Sequence, residues 1–270
     1  MSSPDHAVRV PTLHRMRSRG SLVVLGLVGA LVTGCTAGAA PTRTPGDAVT
    51  QAEAEILARL LERNHEEGGA DFVVTAPYRE GVVLTLTGEV DFRDDVGRAQ
   101  ALTTFGDGRE DDVRTLFFTP DTVWTGDVPG LREALAATDE PDAEYMSRPM
   151  TTADDVNGPL LTDVLLGIVL GLSAPSADEA ESFLGEDYTW RGQRSIDSRL
   201  ASLFGIRGER TVAVAAADDL LLQFVTPLHD DAFDATITLS DHGPRTVEVP
   251  TEAETAEAAD HPEIAAALGV

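Results

Sequence analysis

The thiol of Cys35 is the first candidate for chemistry, because the 270-residue chain has no other cysteine. A single thiol excludes an internal disulfide and leaves three uses: a catalytic nucleophile, a metal ligand or a site of covalent modification. Cys35 ends the stretch "LVTGC", directly after an apolar run. The residues before it decide among the three uses.

The segment before Cys35 has the pattern of an export signal. Arg15, Arg17 and Arg19 precede residues 21–32, which carry no charge. A positive cluster, an apolar core of about 7–15 residues and small residues at its end are typical of secretory signals. The run is shorter than the roughly 20 residues of a membrane-spanning helix. Met16 is a second candidate start, since residues 16–35 alone make a signal of ordinary length.

The last four residues, Val32-Thr33-Gly34-Cys35, resemble a bacterial lipobox. In such a motif, diacylglycerol is attached to the cysteine sulfur and the chain is cleaved before it. The resemblance implies that residues 1–34 are a lipoprotein signal peptide and that Cys35 is the lipidation site. It also implies a protein anchored to the extracytoplasmic face of the cell membrane. The alternative is an ordinary secretory signal with an incidental cysteine.

Other residues with chemical potential have simpler explanations. Glu62 and His65 have the spacing of half a di-iron site, but such a site needs a second copy, which the sequence lacks. The acidic runs 94–95, 110–112 and 230–231 fit solvated hairpin tips, with weak calcium binding as the alternative. Neither G-x-S-x-G nor H-E-x-x-H occurs, and no glycine-rich phosphate loop is present. The sequence predicts no catalytic residue, metal or cofactor, and thus no enzyme.

The charge of the exported chain limits its partners. Residues 1–34 hold four arginines and one acid, so the remaining chain has 16 cations and 45 acids, a formal charge of −29. An acidic surface of this kind repels nucleic acid and anionic headgroups. Nucleic-acid binding is therefore excluded, and the expected contact with the membrane is through the lipid.

The hydrophobic pattern predicts one folded body, residues 48–250, between a tether (35–47) and an acidic tail (251–270) that needs no docking. Helical spacing marks 48–65, 129–138, 158–172, 176–184 and 196–204. Period-two alternation marks 82–92, and shorter strands are predicted at 71–75, 98–105, 113–118, 122–125, 188–191, 211–216, 220–225, 233–239 and 246–249. The predicted fold is α+β: an antiparallel, half-barrel-like sheet of about ten strands with helices packed on its concave face.

An unusually apolar helix is predicted within 159–172, where Thr162 and Asp163 are the only polar side chains. Such a helix must be buried on most sides. It could be a core helix packed directly on the sheet, or it could cover an apolar cavity. The inward side chains that would line the cavity are then Val82, Leu84 and Leu86 of the long strand, and Leu161, Val164, Leu165 and Ile168 of the helix.

The order of these elements resembles the LolA/LprG-like superfamily: a lipobox, a helix, a five-stranded meander, a helical insert and a second meander. The resemblance covers about residues 46–250. It implies a half-barrel around an apolar cavity and a carrier of envelope lipids or glycolipids, or of a lipidated protein ligand, bound by their acyl chains. Two other functions remain open: a regulatory or structural lipoprotein that binds a partner protein, and an unrecognised hydrolase.

Overall fold

The computed structural model describes residues 43–270, except 137, 139, 141, 153–154, 156–157, 208 and 229–232. The predicted signal peptide, the alternative start at Met16 and the lipidation site Cys35 lie outside the described residues, as do Asp230 and Asp231.

Twelve strands form one open sheet, which confirms the α+β, half-barrel-like class with two strands more than expected. Its order is β12-β6-β5-β4-β3-β2-β1-β11-β10-β9-β8-β7, and every pairing is antiparallel except β12 with β6. The strands are β1 (Gly69–Arg79), β2 (Val82–Asp91), β3 (Val96–Phe105), β4 (Asp112–Phe118), β5 (Thr122–Gly126), β6 (Tyr145–Pro149), β7 (Thr189–Ile196), β8 (Arg199–Ile206), β9 (Arg210–Ala215), β10 (Leu221–Pro227), β11 (Asp234–Ser240) and β12 (Thr255–Glu257).

The inner face of the sheet is the one that carries the main core. In β2, Val82, Leu84 and Leu86 are buried while Thr87 is exposed, as the period of two requires. Leu86 lies opposite Val74 of β1 and Ala101 of β3. The N-terminal meander, β1–β5, and the C-terminal meander, β7–β11, are joined by the pairing of β1 with β11. Both meanders therefore contribute to a single core.

Three of the helices pack on this inner face. The helices are α1 (Gln51–Ala58), α2 (Leu60–Glu67), α3 (Leu131–Leu135), α4 (Leu161–Leu170) and α5 (Pro262–Leu268). Thr50 and Glu53 form a capping box that starts α1, and Gly68, with a φ of 98°, ends α2 in the left-handed conformation. Leucines of α1, α2 and α4 join the strand residues in the main core. Among the described residues, no helix is long and apolar enough to cross a bilayer.

The second meander differs from the prediction in three places. Residues 196–204 are not a helix: β7 and β8 form a hairpin whose two turn residues, Asp197 and Ser198, both have positive φ. A two-residue turn with two positive φ values most often has the sequence Asn-Gly, so the hairpin could not be recognised from its Asp-Ser turn. Residues 246–249 do not form a strand, because both edges of β11 are already occupied by β1 and β10. Only Ala180–Phe183 of the predicted helix 176–184 is helical, as a 3-10 turn.

The expected tail is part of the folded body. β12 pairs in parallel with β6, a strand the sequence prediction missed, and α5 packs near α3. Ala256 and Ala265 are buried with Leu131, Leu135 and Met146 in a second, smaller core. The sequence did not indicate this docking, because small alanines bury well against larger residues that belong to other elements.

The described part of the expected tether, residues 43–47, is also held in place. The Arg43 guanidinium binds the Glu53 carboxylate and lies 4.9 Å from the centroid of the Trp190 ring. The Gly46 amide donates to the Trp190 carbonyl, and the Trp190 amide donates to the Asp47 carbonyl, both at 2.8 Å. This N-terminal segment therefore pairs along the outer edge of β7.

Candidate functional site

An apolar cavity of about 450 Å³ lies between the helices and the C-terminal meander, and it is partly open to solvent. The end of α1 and the start of α2 form one wall with Leu57, Leu60 and Leu61. The opposite wall comes from β8, β9 and β10, and the end of α4 closes a third side. The other lining residues are Ile168, Gly171, Leu172, Asp178, Phe183, Tyr188, Ile206, Arg210, Val212, Leu221, Phe224 and Thr226.

The lining suits an apolar ligand. Most of the surface is aliphatic or aromatic, and two of the lining rings, Phe183 and Tyr188, contact each other at a centroid distance of 5.0 Å and an interplanar angle of 53°. Cavities of roughly 300–1,000 Å³ with apolar walls and few polar groups are the usual form of small-molecule sites. The cavity can therefore hold a hydrophobic chain and keep it from water.

Of the seven side chains expected to line a cavity, the structure brings only Ile168 to this one. Leu84, Leu86 and Leu165 are instead in the closed main core, where α4 packs directly on the sheet. Val82 is buried in β2, Leu161 packs against the edge of the core, and Val164 is half-buried. The buried stripe of α4 is Leu165, Leu166, Val169 and Leu170, so the helix is rotated from its expected orientation.

A buried ion pair fixes the start of α4. The Arg148 guanidinium donates to both Asp163 carboxylate oxygens, at 2.7 and 2.8 Å, and the Asp163 side chain is fully buried. The Thr151 amide and hydroxyl also donate to Asp163, each at 2.7 Å. Burial alone would raise the pKa of Asp163, but the hydrogen bonds from Arg148 and Thr151 outweigh it and hold the pKa below 3.8. The pair ties α4 to β6.

Charged groups stand at the rim of the cavity. Arg210 and Asp178 both line it, and both are exposed. Arg207, on the same side, is already engaged: it pairs with Asp187 at 3.4 Å and lies 5.8 Å from the centroid of the Tyr188 ring. The cavity thus has an apolar interior, and one cation and one carboxylate are exposed to water at its rim.

A serine and a histidine meet beside α2, but their geometry does not make a nucleophile–base pair. The Ser173 hydroxyl lies 3.4 Å from Nδ1 of His65, and the same nitrogen lies 3.0 Å from the Phe92 carbonyl oxygen. A carbonyl can only accept, so Nδ1 must carry a hydrogen. It then cannot take a proton from Ser173, and the contact stabilises the end of α2.

A second cleft, of about 340 Å³, contains His242 with Arg199, Asp197, Asp218 and Asp241. Arg199 donates to both Asp218 oxygens at 2.6 Å. Burial lowers the pKa of His242, and the positive charge of Arg199 lowers it further. The ring is therefore neutral near pH 7. A base also needs a hydrogen-bonded nucleophile to act in covalent catalysis, and within the described part of the chain neither ring nitrogen of His242 has a side-chain partner.

The sequence prediction missed most of the lining of the cavity. Leu57, Leu60 and Leu61 lie in the helix predicted at 48–65, but Ile206 of β8 was assigned to no element. Arg210 and Asp178 lie far apart in sequence, and only the folded chain brings them to the same rim. The one usable signal was the aromatic pair Phe183 and Tyr188, which flanks a turn rather than a regular element.

No protein-family model and no curated protein matches the chain. Solved structures similar to it include the following three. LprF from Mycobacterium bovis has 15% sequence identity and a TM-score of 0.44, with 76% of this chain and 98% of that chain covered. An uncharacterized conserved protein from Thermus thermophilus has 13% identity and a TM-score of 0.37, covering 76% and 99%. The LolA superfamily protein NE2245 from Nitrosomonas europaea has 11% identity and a TM-score of 0.29, covering 74% and 96%.

Proposed function

We propose that the protein is an extracytoplasmic lipoprotein, anchored to the cell membrane by diacylglycerol on Cys35, that binds the acyl part of an envelope lipid. The observation that carries the proposal is the apolar cavity of about 450 Å³ between α1, α2 and the C-terminal meander. Its interior offers mainly aliphatic and aromatic contacts, and its charged groups, Arg210 and Asp178, are exposed at the rim. This division of surface matches an amphiphile with its chain inside and its headgroup at the opening.

Binding is favourable because it removes the acyl chain of the ligand from water. Transfer of a methylene group from water to an apolar environment contributes about 0.8 kcal/mol. A cavity that exists before binding does not have to be opened at the expense of core packing. The main core under α4 remains closed, so ligand exchange is expected at the α1–α2 side and not through α4.

A matched pair of tryptophan substitutions tests the proposal. Ile168 borders the cavity, whereas its neighbour Val169 is fully buried in the main core. In the full-length chain, Ile168→Trp places an indole in the cavity, so co-purifying lipid should fall while the thermal midpoint changes little. Val169→Trp overpacks the core and should cost about 1–3 kcal/mol of unfolding free energy. Both quantities are measured on each variant, by differential scanning calorimetry and by mass spectrometry of extracted lipid.

The opposite pattern would contradict the proposal. If wild-type protein, extracted from its own membrane, carries no lipid, and Ile168→Trp lowers the midpoint as much as Val169→Trp, the cavity does not hold an acyl chain.

A second candidate function rests on the outer side of α4. Leu160, just before the helix, is 48% exposed, and the space around Gly167 is open for at least 4 Å from the position of a Cβ atom. As the alternative, we propose that this exposed side of α4 contacts a partner protein. The tryptophan pair separates the two functions, because the partner-binding function predicts no lipid in either variant.

A further inference from the structure

The rim of the cavity carries two opposite charges that are not used within the described part of the chain. Arg210 and Asp178 both line the opening, and neither side chain forms an ion pair or hydrogen bond with any described residue. They also form no ion pair with each other.

The two charges have different natural ligands. The guanidinium group of arginine is planar and binds phosphate oxygens through two parallel hydrogen bonds. A carboxylate accepts hydrogen bonds from an ammonium group. Arg210 enters from the start of β9, and Asp178 from the segment that follows α4, so the two groups approach the opening from different elements. A ligand that carries both a phosphate and an ammonium would satisfy both.

The net charge of the protein argues against an anionic headgroup. The formal charge of −29 on residues 35–270 repels any ligand with a net negative charge. A headgroup in which an ammonium cancels the phosphate avoids this repulsion and keeps the local attraction of Arg210. Arg207, which does not line the cavity, pairs with Asp187 and lies over the Tyr188 ring, so it adds little free positive charge near the opening.

We infer that the rim holds a zwitterionic headgroup, with its phosphate at Arg210 and its ammonium at Asp178, above an acyl chain in the cavity. The inference rests on the proposed function and names its ligand class: a net-neutral phosphate–ammonium amphiphile. Binding is a non-covalent exchange, in which the phosphate and the ammonium replace water at the two side chains.

The test compares three lipids with identical acyl chains: phosphatidylethanolamine, phosphatidylglycerol and diacylglycerol. Each is offered to the full-length protein after removal of co-purified lipid, and bound lipid is counted by native mass spectrometry. Wild-type protein should bind phosphatidylethanolamine several-fold more than phosphatidylglycerol. Arg210→Gln should weaken binding of both phospholipids about three- to tenfold and leave diacylglycerol unchanged. Asp178→Asn should weaken phosphatidylethanolamine alone.

The control is Arg191→Gln, which removes an equally exposed arginine of β7 that does not line the cavity. It should leave all three lipids unchanged. Equal binding of phosphatidylethanolamine by wild type and Arg210→Gln overturns the inference, as does wild-type binding of phosphatidylglycerol at the same level. If wild-type protein binds diacylglycerol together with either of these two results, the zwitterionic headgroup is excluded but the proposed binding of acyl chains is not. Failure of all three lipids to bind wild-type protein overturns both.

Discussion

At the scale of single residues, the buried charge of Asp163 orients a helix more than it stabilises the fold. Taking a carboxylate and a guanidinium out of water is costly, and replacing both by apolar groups is often neutral or stabilising. The Arg148–Asp163 pair instead fixes the start of α4. The Leu160 amide donates to the Thr151 hydroxyl, and that hydroxyl donates to the Asp163 carboxylate. The direction of α4 in turn decides that Ile168, and not Leu165, reaches the cavity.

Asp163→Asn should destabilise the protein by about 3–5 kcal/mol near pH 7, because it leaves Arg148 buried without a counter-charge. The folded-state pKa of Asp163 lies below its ordinary value of 3.8. The stabilisation is therefore fully present above pH 3.8 and is lost as the pH falls through the folded-state value. Chemical denaturation from pH 7 down to about pH 3 should show the difference between wild type and variant shrinking with acid.

Two comparisons make this measurement specific. Asp187→Asn, in the exposed pair with Arg207, should hardly change the unfolding free energy, because solvent screens that pair. The double change Arg148→Met with Asp163→Leu should cost less than Asp163→Asn alone. A gap between wild type and Asp163→Asn that stays constant across this pH range would show that the carboxylate is not held ionised by its partners.

At the scale of elements, the C-terminal segment shows that a polar composition can conceal a structural role. β12 and α5 cover Leu131, Leu135 and Met146, all of which are nearly inaccessible to solvent. Arg114 reinforces the end of α5 by donating to the Leu268 and Gly269 carbonyls. His261 also contacts the Glu140 carboxylate at 2.9 Å.

A pair of adjacent alanines tests this role. Ala265 is buried against the second core, while Ala266 is exposed on the same helix. Ala265→Asp puts an unpaired carboxylate into an apolar contact and should lower the unfolding free energy by roughly 1–3 kcal/mol. Ala266→Asp keeps the same helix and should change it little. Identical thermal midpoints for the two variants would mean that α5 is not docked in solution.

The elements also show what sequence patterns can predict. Strands with strict alternation, such as β2, and helices with clear stops, such as α2, were predicted to within a few residues. β8 was misassigned because "RLASLFGI" has leucines at helical spacing, and only the turn at Asp197 and Ser198 makes it a strand. The facing residues of the cavity depend on the rotation of α4, which is set by long-range contacts to β6 that no local pattern contains.

At the scale of the whole molecule, anchoring is the prediction that concerns residues outside the described part of the chain. Cys35→Ser should leave the protein without lipid, so that it no longer enters the detergent phase when tagged protein is partitioned in Triton X-114. Thr36→Ser changes the neighbouring residue and should partition as wild type does. If Cys35→Ser partitions and matures like wild type, the proposed lipobox is not used.

The two outer edges of the sheet lie beside segments from opposite ends of the described chain. Residues 46–48 hydrogen-bond to β7 at Thr189 and Trp190, and β12 pairs with β6. An open sheet normally presents unpaired amides and carbonyls at its edges, and these recruit strands from other copies. Here the added segments are short, so a second copy finds little continuous edge to extend. Strand-by-strand polymerisation is thereby disfavoured, including at the high local concentration that the proposed membrane anchor would create.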